Sequence, residues 1–155
     1  MSEEKKEDVQ LASDQKVKVF KKYIDDNKIQ GFAFQDLKNE VHAGIFQSHL
    51  PIQGQNLPFM IILDDSVYTM IQIQVVSALV SKDRKDAVCT YLNTMNEQYR
   101  MLKYHADEQG NLFLSCCIPS GTDQFDPTLV IAILNQMQGH LNAVYPAMME
   151  KLWAK

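Results

Sequence analysis

Hydrophobic side chains recur along this chain with two different periods, and each period marks its own stretches. Val17, Phe20 and Ile24, with Val19 and Tyr23 beside them, keep the 3.6-residue spacing of a buried helical stripe. Ser13 or Asp14 is placed to cap that helix, and Asp26-Asn27 to end it. Val88, Tyr91, Leu92, Met95 and Tyr99 repeat the pattern at i, i+3, i+4, i+7 and i+11, behind an opening Ser81-Lys82-Asp83. A third stripe, running from Val130 through Met137 and Leu141 to Leu152, follows Asp126 as capping residue and Pro127 at the first helical position. Pro146 cannot donate a helical hydrogen bond, which predicts a kink or break near Asn142 to Tyr145.

Between the first two stripes the period falls to two. Val41 to Leu50 reads as a strand stopped by Pro51. Gln53-Gly54-Gln55-Asn56 has turn chemistry, and Pro58 is admissible only at the start of the next strand. Phe59-Met60-Ile61-Ile62-Leu63 is a continuous apolar run, the mark of a central strand covered on both faces. Asp64-Asp65-Ser66 turns the chain into Tyr68 to Val76, where Ile71, Ile73 and Val75 alternate with Gln72 and Gln74. Met101 to Ala106 and Leu112 to Ile118 flank Asp107-Glu108-Gln109-Gly110-Asn111, a second hairpin with a glycine free to adopt positive φ. Lys28 to Asn39 fits either a short edge strand or a loop lid. The order helix, three strands, helix, two strands, helix predicts an α+β domain with a largely antiparallel five-stranded sheet packed on helices.

Composition narrows the class without naming a reaction. The chain has 155 residues and 17.8 kDa, enough for one domain, expected over residues 13–155 behind a polar, mobile tail at 1–12. No apolar run suggests a spanning helix, and the charged MSEEKKEDVQ start does not read as a secretory signal. A net charge of −4 argues against nucleic acid as the main partner. The lysines Lys16, Lys18, Lys21 and Lys22 stand beside Asp25 and Asp26 and read as a solvated helix face. Cys89, Cys116 and Cys117 are too few, and odd in number, for a disulfide framework; reduced thiols in the cytoplasm are the simpler account.

No catalytic or metal constellation stands out, and neither a cofactor nor a metal is expected. G-x-G-x-x-G, P-loop, H-E-x-x-H, C-x-x-C and G-x-S-x-G are all missing. His42, His49, His105 and His140 keep no zinc-ligand spacing. Asp64-Asp65 fits a turn better than a catalytic dyad, because Asp side chains bond nearby backbone amides there. Asn93 and Asn96, three apart in the middle of a predicted helix, either tie it to a neighbouring strand through their amides or stand exposed.

The positive signal is an apolar surplus. If Ile71, Ile73, Val75, Leu112, Leu114 and Cys116 face the helices, the opposite face still carries Met70, Phe113 and Cys117. By alternation either Met60 and Ile62 or Phe59 and Ile61 join them, with Phe46 a further candidate. Helix two, the Phe32 to Leu37 segment or another chain must cover that face.

Three stretches resemble the YbjN-like family and, in element order, the fold of type III secretion chaperones. They are Pro58-Phe59-Met60-Ile61-Ile62-Leu63-Asp64-Asp65, the helical Tyr91-Leu92-Asn93-Thr94-Met95-Asn96, and the hairpin Lys103 to Ile118 before a long helix. The resemblance spans about Lys16 to Trp153. It implies a small bacterial cytoplasmic protein that dimerises and binds other proteins, in a group described as sensory-transduction regulators; no catalytic residue carries over. The expectation is therefore a non-enzymatic homodimeric module, chaperone-like or regulatory. Partner segments would be buried on the apolar face through Phe46, Met60, Ile62, Met70 and Phe113, with no nucleic acid or membrane involved. The alternative is a small-molecule-binding domain or enzyme, with a pocket between sheet and last helix that uses His105, Asn93 and Asn96.

Overall fold

The computed structural model describes residues 11–78 and 80–153. Helices α1 (Ala12–Asp26), α2 (Lys85–Gln98) and α3 (Pro127–Trp153) bury their stripes in one cluster against one side of an antiparallel sheet. The strands are β1 (Ala33–Asp36), β2 (Gly44–Ile52), β3 (Gln55–Leu63), β4 (Tyr68–Val76), β5 (Lys103–Ala106) and β6 (Leu112–Pro119). They lie side by side as β1-β2-β3-β4-β6-β5. The class is the expected α+β, with six strands instead of five. The additional strand is β1, out of the ambiguous Lys28 to Asn39 segment; all four of its residues are exposed, so no alternation marked it. Residues 1–10 of the expected tail lie outside the described residues, and Ala12 already belongs to α1.

The turn between β2 and β3 sets which side chains face the helices. Gln53 and Gly54 both have positive φ, 46° and 77°, the backbone of a two-residue hairpin turn. It pairs Ile52 with Gln55, so every even position of β2 opposes an odd position of β3, and Phe46 faces Ile61. Phe46, Leu50 and Ile52 thus share the helix side with Phe59, Ile61 and Leu63, continued by Ile71, Ile73, Leu114 and Cys116. Phe20 of α1 stacks against Phe46 at 4.6 Å, and Phe32 meets Phe20 and Phe59 edge-on at 5.8 Å each. Fully buried members such as Phe20, Ile52, Ile61, Leu63, Ile71 and Ile73 contribute about 1.5–3 kcal/mol each by leaving water.

Two glycines are required by close approach. A Cβ on Gly44 would sit 2.9 Å from both the Phe34 ring and Val17, where β1 and α1 close over β2. At Gly110 φ is +82°, and a Cβ would lie 2.4 Å from the Val80 carbonyl oxygen.

Several helix ends differ from expectation. Asp126 caps α3 as predicted, its carboxylate accepting the Thr128 N–H at 2.9 Å. Ser13 and Asp14 instead lie inside α1, whose N-cap is Leu11, a residue with no acceptor side chain. Asp65, from the β3–β4 turn, supplies one by accepting the Ser13 N–H at 3.0 Å. Nor is α3 broken at Pro146. Proline leaves the Asn142 carbonyl without its helical donor, and Gln53 Nε2 donates to that oxygen at 2.7 Å. The Gln53 N–H returns to Asn142 Oδ1 at 3.1 Å, so the hairpin turn is keyed to the helix at the point the proline frees.

Candidate functional site

With all three helices on one side, the other side of the sheet has no roof among the described residues. Strand register arranges its side chains in rows. Ile45, Ile62, Met70 and Cys117 stand directly opposite one another across β2, β3, β4 and β6, an apolar row four strands wide. The next row reads Gln47, Met60, Gln72, Ser115 and Lys103. Beyond it Gln74 pairs with Phe113, which stacks on His105 with ring centroids 5.1 Å apart and planes at 23°. Met60, Ile62, Met70 and Phe113 are half-buried and belong neither to the core cluster nor to the side chains packed on it. Between Met60 and Phe113 the surface dips into a hollow of about 330 Å³, rimmed by Gln47, His49, Gln72 and Gln74. Apolar floor and polar amide rim are the ordinary make-up of a surface that meets another protein.

Four of the five residues expected on this face are on it, and Met60 and Ile62, not Phe59 and Ile61, are the outward pair. Phe46 is the correction: it lies on the helix side, 2% exposed, because the two-residue turn puts it opposite Ile61. The central run in β3 is likewise covered on one face only. Neither α2 nor the Phe32 to Leu37 segment crosses over; α2 packs beside β5, and β1 extends the sheet.

Asn96 and Asn93 part company. The Tyr104 N–H donates to Asn96 Oδ1 at 2.7 Å, and Asn96 Nδ2 donates to the Tyr104 carbonyl at 3.1 Å. One side-chain amide thus copies a paired strand along the outer edge of β5. Asn93 is exposed. The pocket built from His105, Asn93 and Asn96 therefore does not form: His105 is on the outer face, Asn96 is spent on β5, and Asn93 faces solvent.

The acidic turn is structural, and more connected than its sequence suggests. Asp64 accepts the Ser66 N–H at 2.9 Å, while Asp65 holds Ser13 and His42. Those two contacts, His42 first, hold the Asp65 carboxyl below its usual range. Lys16 is not part of the solvated lysine face. It is 1% exposed, its ammonium donating to the carbonyls of Ser66 at 2.7 Å and Tyr68 at 3.2 Å. Burial pushes its pKa down, and Asp64 and Asp65 oppose the shift. Lys21 lies over the Phe34 ring, 4.1 Å from its centroid.

The sheet thus carries its helices on one face and presents an amphipathic second face. The chain belongs to the YbjN family: the family model described as "Putative bacterial sensory transduction regulator" matches residues 19–150. Among solved structures, a chain of the "Crystal Structure of the ExsC-ExsE Complex" aligns at 13% identity with a TM-score of 0.47, over 83% of this chain and 92% of that one. No curated protein matches the sequence. No helix among the described residues is long and apolar enough to cross a membrane.

Proposed function

We propose that this protein is a non-enzymatic binding module, chaperone-like or regulatory, that works in the cytoplasm as a homodimer and buries partner segments against the outer face of its sheet. One observation carries the reading: Ile62, Met70 and Cys117 form an accessible apolar row across three strands, ended at β2 by the buried Ile45, on a face that its own helices leave open. An antiparallel sheet bathed in water on one side alternates to polar residues there. Here Gln47, Gln72 and Gln74 do so, while Met60, Ile62, Met70 and Phe113 do not. Methionine suits such a surface, because its unbranched thioether adapts to partners of different shape.

Replacing Met70 and Phe113 together with glutamate tests it. Both side chains lie outside the core, so the far-ultraviolet circular dichroism and the melting transition stay close to the parent's. Light scattering gives the parent twice the 17.8 kDa chain mass and the double variant a single chain. A parent with the mass of one chain, or a double variant that still pairs, overturns the proposal.

A further inference from the structure

One side of α3, the helix-side residue Cys116 of β6 and the α2–β5 connection line a second, open cavity of about 590 Å³. That is within the roughly 300–1,000 Å³ usual for small-molecule sites. It is not the pocket the sequence suggested, since none of His105, Asn93 and Asn96 lines it. Its walls are Leu129, Ile133 and Met137 on α3, Leu102 and Met101 on the connection, and Cys116 on β6. Met101 is 83% exposed and Leu129 is also exposed, so apolar surface at the mouth stands in water.

The polar groups of this cavity are few. Tyr104, buried in the core, bonds His140 Nε2 through its hydroxyl, and the His140 ring packs edge-on to Tyr99 at 4.4 Å. A phenol is the better donor and an imidazole nitrogen the better acceptor, so Tyr104 donates and Nε2 accepts. Burial disfavours the charged ring and raises the tyrosine pKa, which keeps both groups in those roles. A neutral His140 that accepts at Nε2 must carry its proton on Nδ1, which has no protein partner among the described residues. The polar residues of the lining are thus His140 with its imidazole N–H, Gln136 one turn before it, Tyr99, whose hydroxyl accepts from Gln98 Nε2, the Cys116 thiol, and one charged residue, Arg100. No carboxylate among the described residues lines it.

We infer that this cavity is a binding site for a small amphipathic carboxylic acid, its aliphatic body among Leu129, Ile133 and Met137 and its carboxylate toward Arg100 and the His140 N–H. The site is independent of the outer sheet face, and either can fail without the other.

Three probes with alkyl chains of nine or ten carbons and different head groups test it: decanoate, decanol and decyltrimethylammonium, titrated into the full-length protein by calorimetry and by amide chemical-shift mapping. Decanoate is expected to saturate one site per chain, with shifts concentrated in residues 99–102 and 129–140. The alcohol and the cation should bind about tenfold or more weakly, the size of one charge-assisted hydrogen bond. Arg100→Gln, at an exposed position, should bring decanoate down to the level of decanol without changing the melting temperature. Ala132→Phe, which fills the cavity from an exposed helix position, should remove binding of all three. Equal binding of the three probes, a full preference for decanoate in Arg100→Gln, shifts on the outer sheet face, or no saturable binding overturns the inference.

Discussion

Asn96 and Asn93 offer a matched pair of substitutions, because one residue type in one helix has two different surroundings. Asn96→Ala removes both hydrogen bonds to the Tyr104 backbone, at 2.7 and 3.1 Å. Each such bond is worth about 1 kcal/mol net, with more lost where the abandoned group stays dry. Tyr104 is 2% exposed, so water replaces the amide poorly, and the loss comes to about 2–3 kcal/mol. Alanine returns about 0.6 kcal/mol through its better helix propensity, leaving a net destabilisation of about 1.5–2.5 kcal/mol. Asn93→Ala, at an exposed position without a hydrogen-bond partner among the described residues, gains the same propensity, so it should stabilise by about 0.5 kcal/mol. Urea unfolding followed by circular dichroism measures both. At an unchanged slope of about 2 kcal/mol per molar, the Asn96→Ala midpoint falls by roughly 1 M and that of Asn93→Ala rises slightly. Equal shifts for the two variants would refute the assignment of Asn96 as a tie to β5.

Gly110→Ala should cost about 2–4 kcal/mol in the same assay, adding positive-φ strain to a Cβ pressed on the Val80 carbonyl. Gly54→Ala has the same sign of φ but open space around it, and should cost only about 1 kcal/mol. The Asp65 carboxyl sits below the ordinary 3.8, so its contribution to stability is present above that value and is lost as the pH falls through its lower folded pKa. Asp65→Asn should therefore lower stability at neutral pH and converge with the parent in acid, as thermal melts across the acid range would show. Thiol labelling reads the outer face directly. Cys89 and Cys117 are exposed and Cys116 is buried with its thiol pKa raised, so two thiols react rapidly in dilute protein. Concentrating the protein should protect Cys117 but not Cys89, and Met70→Glu should abolish that protection.

Much of this arrangement was readable before the coordinates, where alternation and register agree. Ile71, Ile73 and Val75, with Leu112, Leu114 and Cys116, point to the helices as their spacing demands, and Met70, Phe113 and Cys117 point away. Phe46 was placed on the wrong face by a matter of parity. Gln53-Gly54 alone makes the turn, so Gln55 and Asn56 already belong to β3; a turn of two residues, like one of four, sets even against odd, which puts Phe46 with Phe59 and Ile61 and apart from Met60 and Ile62. Other features depend on partners far along the chain. The burial of Lys16 rests on Ser66 and Tyr68, 50 and 52 positions away, and nothing near Lys16 distinguishes it from Lys18. The intact α3 rests on Gln53, 89 positions from Asn142. The cavity beside α3 was missed because its polar member, His140, sits on an apolar stripe, where it reads as a histidine at the margin of the core.

The two margins of the sheet are finished differently, and this bears on how the protein avoids polymerising. At β5 the Asn96 amide occupies the backbone groups that an incoming strand would need. At β1, the four residues and the neighbouring Leu37 and Val41 stand exposed with no such plug among the described residues. A ribbon that accepts new strands at one margin only stops growing once two chains have met there, whereas one open at both runs on into a fibre. Asn96 thereby disfavours accidental strand pairing at the β5 margin relative to β1.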